Sequence, residues 1–209
     1  SDLNGALNIT GKGMSVDSLV AGLNLELNES WLFENPVTQL SVSMHYNREN
    51  YQLKRLYLNT PYASVTAEGE GNVRGENFLK FEAVPADVAR LSGALDLPYI
   101  NASGNITGRV EGTADSLRLS SGYNLKDIVY DSLRIKNFQG QGSAYLRDSL
   151  IAGEVNFTAD SSLWGDRFVK QISLHSVYQK NHLRNSLDMV VNDTMNFYTQ
   201  TDMDLQNDP

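Results

Sequence analysis

The chain reads as all-β: a long antiparallel meander curled into a half-pipe groove with an apolar interior. Three observations predict the antiparallel meander: period-2 alternation of apolar and polar residues, turn signals at hairpin spacing, and almost no helical periodicity. Leu19, Ala21, Leu23, Leu25 and Leu27 alternate with Val20, Gly22, Asn24 and Glu26. Leu40, Val42, Met44 and Tyr46 alternate with Ser41, Ser43 and His45, and Ala63, Val65 and Ala67 with Ser64, Thr66 and Glu68. Successive strand residues point to opposite faces, so the pattern builds a sheet with one oily face and one wet face. About 13 to 16 such strands fit the sequence.

Asp-Ser pairs punctuate the strands at Asp17-Ser18, Asp115-Ser116, Asp131-Ser132, Asp148-Ser149 and Asp160-Ser161. Their short side chains hydrogen-bond the local backbone and favour turns. The central spacings suit two strands of six or seven residues with tight loops. A longer repeat lies over these hairpins. Asn8-Ile9-Thr10-Gly11 followed by Asp17-Ser18-Leu19 returns as Asn105-Ile106-Thr107-Gly108 followed by Asp115-Ser116-Leu117. Two units of one continuous sheet follow, 1–99 and 100–209. One short helix is expected near 85–92, where Pro85 opens the stretch, Gly93 closes it, and Val84, Val88, Leu91 and Leu95 recur at helical spacing.

Composition excludes several classes. The 209 residues are long enough to bury a core, but only 41% are apolar and no run approaches the roughly 18 apolar residues of a membrane helix. Net charge is −8, with seventeen scattered Lys and Arg, which argues against nucleic acid. There is no cysteine, hence no disulfide, thiol chemistry or Cys-based metal site. A thiol-free chain suits an oxidising compartment such as a Gram-negative periplasm. The first ten residues lack a signal-type start, so the sequence reads as a mature or internal segment.

No site chemistry stands out. Seven positions separate His175 and His182, which in one extended strand would put them on opposite faces, unsuited to a shared metal. Gly69-Glu70-Gly71-Asn72-Val73-Arg74-Gly75 has the wrong spacing for a phosphate loop and reads as a turn or bulge. Asp202, Asp204 and Asp208 lack the glycine and closing Glu of a calcium loop. Six N-x-S/T sites follow from the abundance of Asn, Ser and Thr, and matter only in a secreted eukaryotic protein. No acid–base or nucleophile set stands together, so catalytic residues, metal and cofactor are all expected to be none, and the chain is not expected to be an enzyme.

A one-sided sheet without helices must cover itself, as a sandwich, a barrel or an open trough. Trp31 and Trp164 fall in turn-like surroundings rather than in a core. The interior-face candidates are Leu23, Leu25, Val42, Met44 and Val65 in the first unit. In the second they are Ile106, Val110, Leu119, Ile135, Leu146 and Val155. This lining is oily and lacks polar handles, which suits lipid acyl chains. At roughly 0.8 kcal/mol per buried methylene, a chain of about 16 carbons gains on the order of 10 kcal/mol before losses of freedom. About 14 strands set roughly 4.8 Å apart make a trough of roughly 65 Å. The bland alternative is a structural or adhesive cell-surface sandwich or solenoid, in which the same residues form a closed core.

One stretch carries a family resemblance. Ser103-Gly104-Asn105-Ile106-Thr107-Gly108-Arg109-Val110-Glu111-Gly112-Thr113, then Asp115-Ser116-Leu117 and Tyr123-Asn124-Leu125, resembles the repeat of TamB and its AsmA-like relatives. Asp127-Ile128-Val129-Tyr130-Asp131-Ser132-Leu133-Arg134-Ile135 is similar in style to Bacteroidetes-type members. The resemblance implies a β-taco segment of a longer periplasmic protein anchored in the inner membrane. It also implies transport of phospholipid between inner and outer membranes in support of outer-membrane biogenesis. An Omp85-type outer-membrane partner would bind through regions absent here.

Overall fold

A computed structural model describes residues 2–15, 17–32, 35–87, 89, 100–113, 115–147 and 150–205. Thirteen strands run in chain order. They are β1 (Gly5–Lys12), β2 (Val20–Leu32), β3 (Asn35–Asn47), β4 (Asn50–Asn59), β5 (Ala63–Asn72), β6 (Asn77–Pro85) and β7 (Ile100–Thr113). Then come β8 (Ser116–Tyr130), β9 (Leu133–Arg147), β10 (Leu150–Trp164), β11 (Arg167–Gln179), β12 (His182–Asn192) and β13 (Met195–Asp204). They form one antiparallel sheet in which sequence neighbours are also spatial neighbours from β1 to β13. β6 pairs with β7, so the sheet runs through residue 100 without a break.

The ladder shows why alternation yields a one-sided sheet. Ile9 opposes Leu23, Leu23 opposes Met44, and Met44 opposes Leu53. Beyond a glycine at position 69, Leu79 opposes Val110 and Val110 opposes Leu119. Such a rung crosses the sheet at right angles to the strands, and the next rung on the same face lies two residues away. The intervening rung is wet: His45, Gln52, Glu70, Phe78, Glu111, Arg118 and Tyr145 stand opposite one another in turn.

Alternation breaks at a register shift between Leu53 and Leu56 in β4 and along a line near one edge of the ladder. Glu29, Asp127 and Ser161 adopt left-handed backbone, with φ of 48°, 51° and 54°. Each turns its strand by a half-step while the register with the hairpin partner stays unchanged, so residues three apart face the same way. Leu27 and Ser30, and likewise Ala159 and Ser162, are all buried, which strict alternation forbids. Their partners keep the same spacing: Leu40 and Val37 on β3, Phe138 and Ile135 on β9, Ile172 and Val169 on β11. The most covered side chains of the molecule, among them Val37, Ala102, Ile128 and Val169, lie along this line.

Three sequence expectations are corrected. Asp160-Ser161 is not a turn but the left-handed step inside β10. Trp31 and Trp164 belong to strands, in the last pairs before the hairpin turns. Pro85 closes β6 instead of opening a helix, and the amides of Ala86 and Asp87 donate to the Tyr62 carbonyl. Of the expected helix beyond Asp87 only Ala89 is described, and it is helical; the rest lies outside the described residues.

Two stability predictions arise from this geometry. Ser162 is fully buried beside the left-handed step at Ser161 with its hydroxyl unpartnered, whereas the equivalent Ser30 hydroxyl accepts from the Asn4 amide at 2.9 Å and lies 3.1 Å from the Asn28 carbonyl. An unsatisfied hydroxyl costs more than an apolar group of similar shape. Ser162→Ala is therefore expected to stabilise the fold by about 1 kcal/mol in urea unfolding, while Ser30→Ala destabilises it. Second, the two-residue connection Lys180-Asn181 has φ of 51° and 65°, a type I′ turn built without glycine. Replacing it with Asn-Gly relieves left-handed strain and is expected to raise stability by about 1 kcal/mol.

Candidate functional site: the apolar trough

The concave face is built rung by rung from the inward side chains. All eleven sequence-selected residues fall on it. Leu23 faces Met44 and Leu25 faces Val42 across the β2/β3 ladder. Val65 stands on β5 between Leu58 and Ala83, followed on β7 by Ile106. Val110 opposes Leu119, and Leu146 and Val155 continue the face through β9 and β10. Ile135 and Leu146 are an odd number of residues apart, which simple alternation places on opposite faces. The half-step opposite Asp127 brings both to the same one, where Ile135 meets Ile128 and Ser162.

No opposing layer seals this face among the described residues. Each strand's extensive contacts are with its ladder neighbours. Leu119 and Val155 remain 37% and 40% exposed, and the other selected residues, apart from the equally open Leu146, are half-buried. A closed sandwich would bury them almost completely. Among the described residues the sheet is single and not closed into a barrel, so its apolar face forms a trough. Thirteen strands give twelve intervals, or roughly 58 Å of length at about 4.8 Å each.

The floor is not uniform. In the first unit one rung reads Leu7, Leu25, Val42, Leu56, Ala67 and Phe81, and Phe81 lies flat against Gly108. From β8 onward the same rung turns polar, through Ser121, Gly142, Val155, Ser176, Asn185 and Thr201. The hydroxyls of Ser121 and Tyr123 are 2.7 Å apart. Ser176 donates to the Asn185 side-chain carbonyl at 2.7 Å, and the Asn185 amide lies 3.3 Å from Thr201. Flanking rungs stay apolar, with Phe138 and Phe157 in contact at 4.9 Å between centroids. Sequence reasoning missed this hydrogen-bonding lane. Its members share inward parity, but they line up only once the pairing register is known.

The outer face carries the charge. A cleft of about 890 Å³ on this face is lined in part by His45, Glu70, Phe78, Arg109, Glu111 and Arg118. Arg109 bridges Glu111 at 2.6 Å and covers the Phe78 ring at 4.7 Å. Its charges alternate in sign, so the cleft selects neither anions nor cations. Asp193 has its carboxyl held below the ordinary 3.8 by a hydrogen bond from Lys170 and by that lysine's charge, on an open surface. His175 and His182 share the outer face, because the Lys180-Asn181 turn folds β12 back on β11. His175 bonds Asn156, whose amide donates to Glu154 at 2.8 Å. Among the described residues no three His, Asp or Glu side chains are grouped to hold a metal. Among them, too, no helix is long and apolar enough to cross a membrane.

Compared with known proteins, the chain matches no family model, no curated protein and no solved structure.

Proposed function

We propose that this chain holds lipid acyl chains in its trough and passes phospholipid between the inner and outer membranes. It would act as a periplasmic segment of a TamB/AsmA-like protein anchored in the inner membrane. The observation that carries the reading is an unsealed apolar face about 58 Å long, continuous across thirteen strands. Acyl chains would lie on the apolar rungs while headgroups stay in water at the open side. The hydrogen-bonding lane of the second unit offers partners for ester or glycerol oxygens. No bond is made or broken in this reading. An Omp85-type partner would engage regions outside this segment.

The test is photo-crosslinking in cells from a probe residue at Met44 or Ile135, with Ser143 on the outer face as control. Phospholipid adducts at the two inner positions and none at Ser143 support the reading. Equal labelling at all three positions, or no lipid at any, ends it.

A further inference from the structure

Beyond the left-handed steps at Asp127 and Ser161, the tips of the β8/β9 and β10/β11 hairpins lose the one-sidedness of the rest of the sheet. On the inner side Tyr130, Leu133 and Trp164 stand opposite one another. On the outer side Val129 and Arg134 lead to Leu163 and Phe168. Everywhere else that outer face is dominated by polar side chains; here it presents apolar ones, with Phe168 51% exposed, while Trp164 on the other side is 64% exposed.

We propose that these two tips insert into a lipid–water interface. A protein partner laid against a sheet covers one side, whereas a tip apolar on both sides is accommodated by a medium that surrounds it. The three residue steps from Ser162 to Gly165 reach roughly 10 Å, the depth of the boundary between headgroups and acyl chains. Trp and Tyr prefer that boundary because an apolar ring carries a polar edge. Charge agrees: segments 126–137 and 160–170 together hold five Lys and Arg against four Asp, and Asp193 paired with Lys170 makes the balance neutral, in a chain of net charge −8, so the tips meet an anionic surface with less repulsion than the whole molecule would feel. This inference goes beyond the lipid-trough reading and does not depend on it.

The experiment uses the full chain carrying Trp31→Phe, leaving Trp164 as the only tryptophan, with unilamellar vesicles of phosphatidylethanolamine and phosphatidylglycerol. Trp164 emission is expected to move to shorter wavelength and to be quenched by lipids brominated high in the acyl chain. Adding Leu163→Ser with Phe168→Ser, at exposed positions that leave the circular dichroism unchanged, is expected to weaken vesicle co-sedimentation by about tenfold or more. Binding of a soluble fatty-acid probe to the trough stays as before, which separates this proposal from the trough itself. Unchanged emission at saturating vesicles, or vesicle binding indifferent to the double substitution, overturns it. So does a lipid-free dimer that the same two substitutions dissociate, since the tips would then be a protein contact.

Discussion

Glutamate at Leu119 or at Val155 is expected to weaken fatty-acid binding by about a hundredfold or more, with the sheet still folded. Both side chains are more than a third exposed on the trough face. In the empty trough a carboxylate there keeps most of its water, so urea unfolding is expected to shift by no more than about 1 kcal/mol. An acyl chain lying over the rung strips that water away, and an unpaired charge against methylenes costs several kcal/mol. A factor of a hundred needs only about 2.7 kcal/mol. Leu119 opposes Val110 and Ala144, so no cation stands across the ladder to neutralise the new charge. Arg118→Glu, one residue away on the outer face, is the matched control and is expected to leave the affinity alone. Displacement of a fluorescent fatty acid reads all three variants. Equal affinities throughout would place the ligand elsewhere.

The second large effect is steric. Gly108→Ala is expected to destabilise the sheet by about 2–3 kcal/mol, because a methyl group at this position overlaps the Phe81 ring packed on the glycine. The site is closed in: Gly108 is buried although it lies on an open trough. Phe81→Leu should lose some packing of its own and should remove most of the penalty of Gly108→Ala. The coupling between the two changes is therefore expected to exceed about 1 kcal/mol in a double-mutant cycle. Additive effects would mean that the glycine is required for some reason other than the ring.

Sheet type and the identity of the apolar face were legible because alternation is a local property. Leu23, Leu25 and Leu27 need no knowledge of their partners to be placed on one side. The left-handed steps were not legible, because Glu29, Asp127 and Ser161 adopt them without being glycine. Their only trace in the sequence is a shift of inward positions by three, as from Ala159 to Ser162. A turn made from Lys180-Asn181 is hidden for the same reason, which is why His175 and His182 were read as one extended strand. The polar lane escaped for a different reason. Ser121, Ser176, Asn185 and Thr201 are far apart in sequence, and only the non-local register puts them in one row.

Strand parity has a consequence for how such units can be joined. The first six strands, β1 to β6, are an even number, so the chain comes back to the margin from which it started. β7 then sets out in the same direction as β1, and the two copies of Asn-Ile-Thr-Gly run the same way, with Thr10 and Thr107 each opposite a glycine, Gly22 and Gly122. Seven strands follow, which leaves the chain at the far margin after β13. Among the described strands β1 and β13 consequently point in one direction. An identical sheet translated along the axis would meet β13 in parallel, whereas one turned by half a revolution about the sheet normal could join β1 to β1 or β13 to β13 antiparallel with the oily sides aligned.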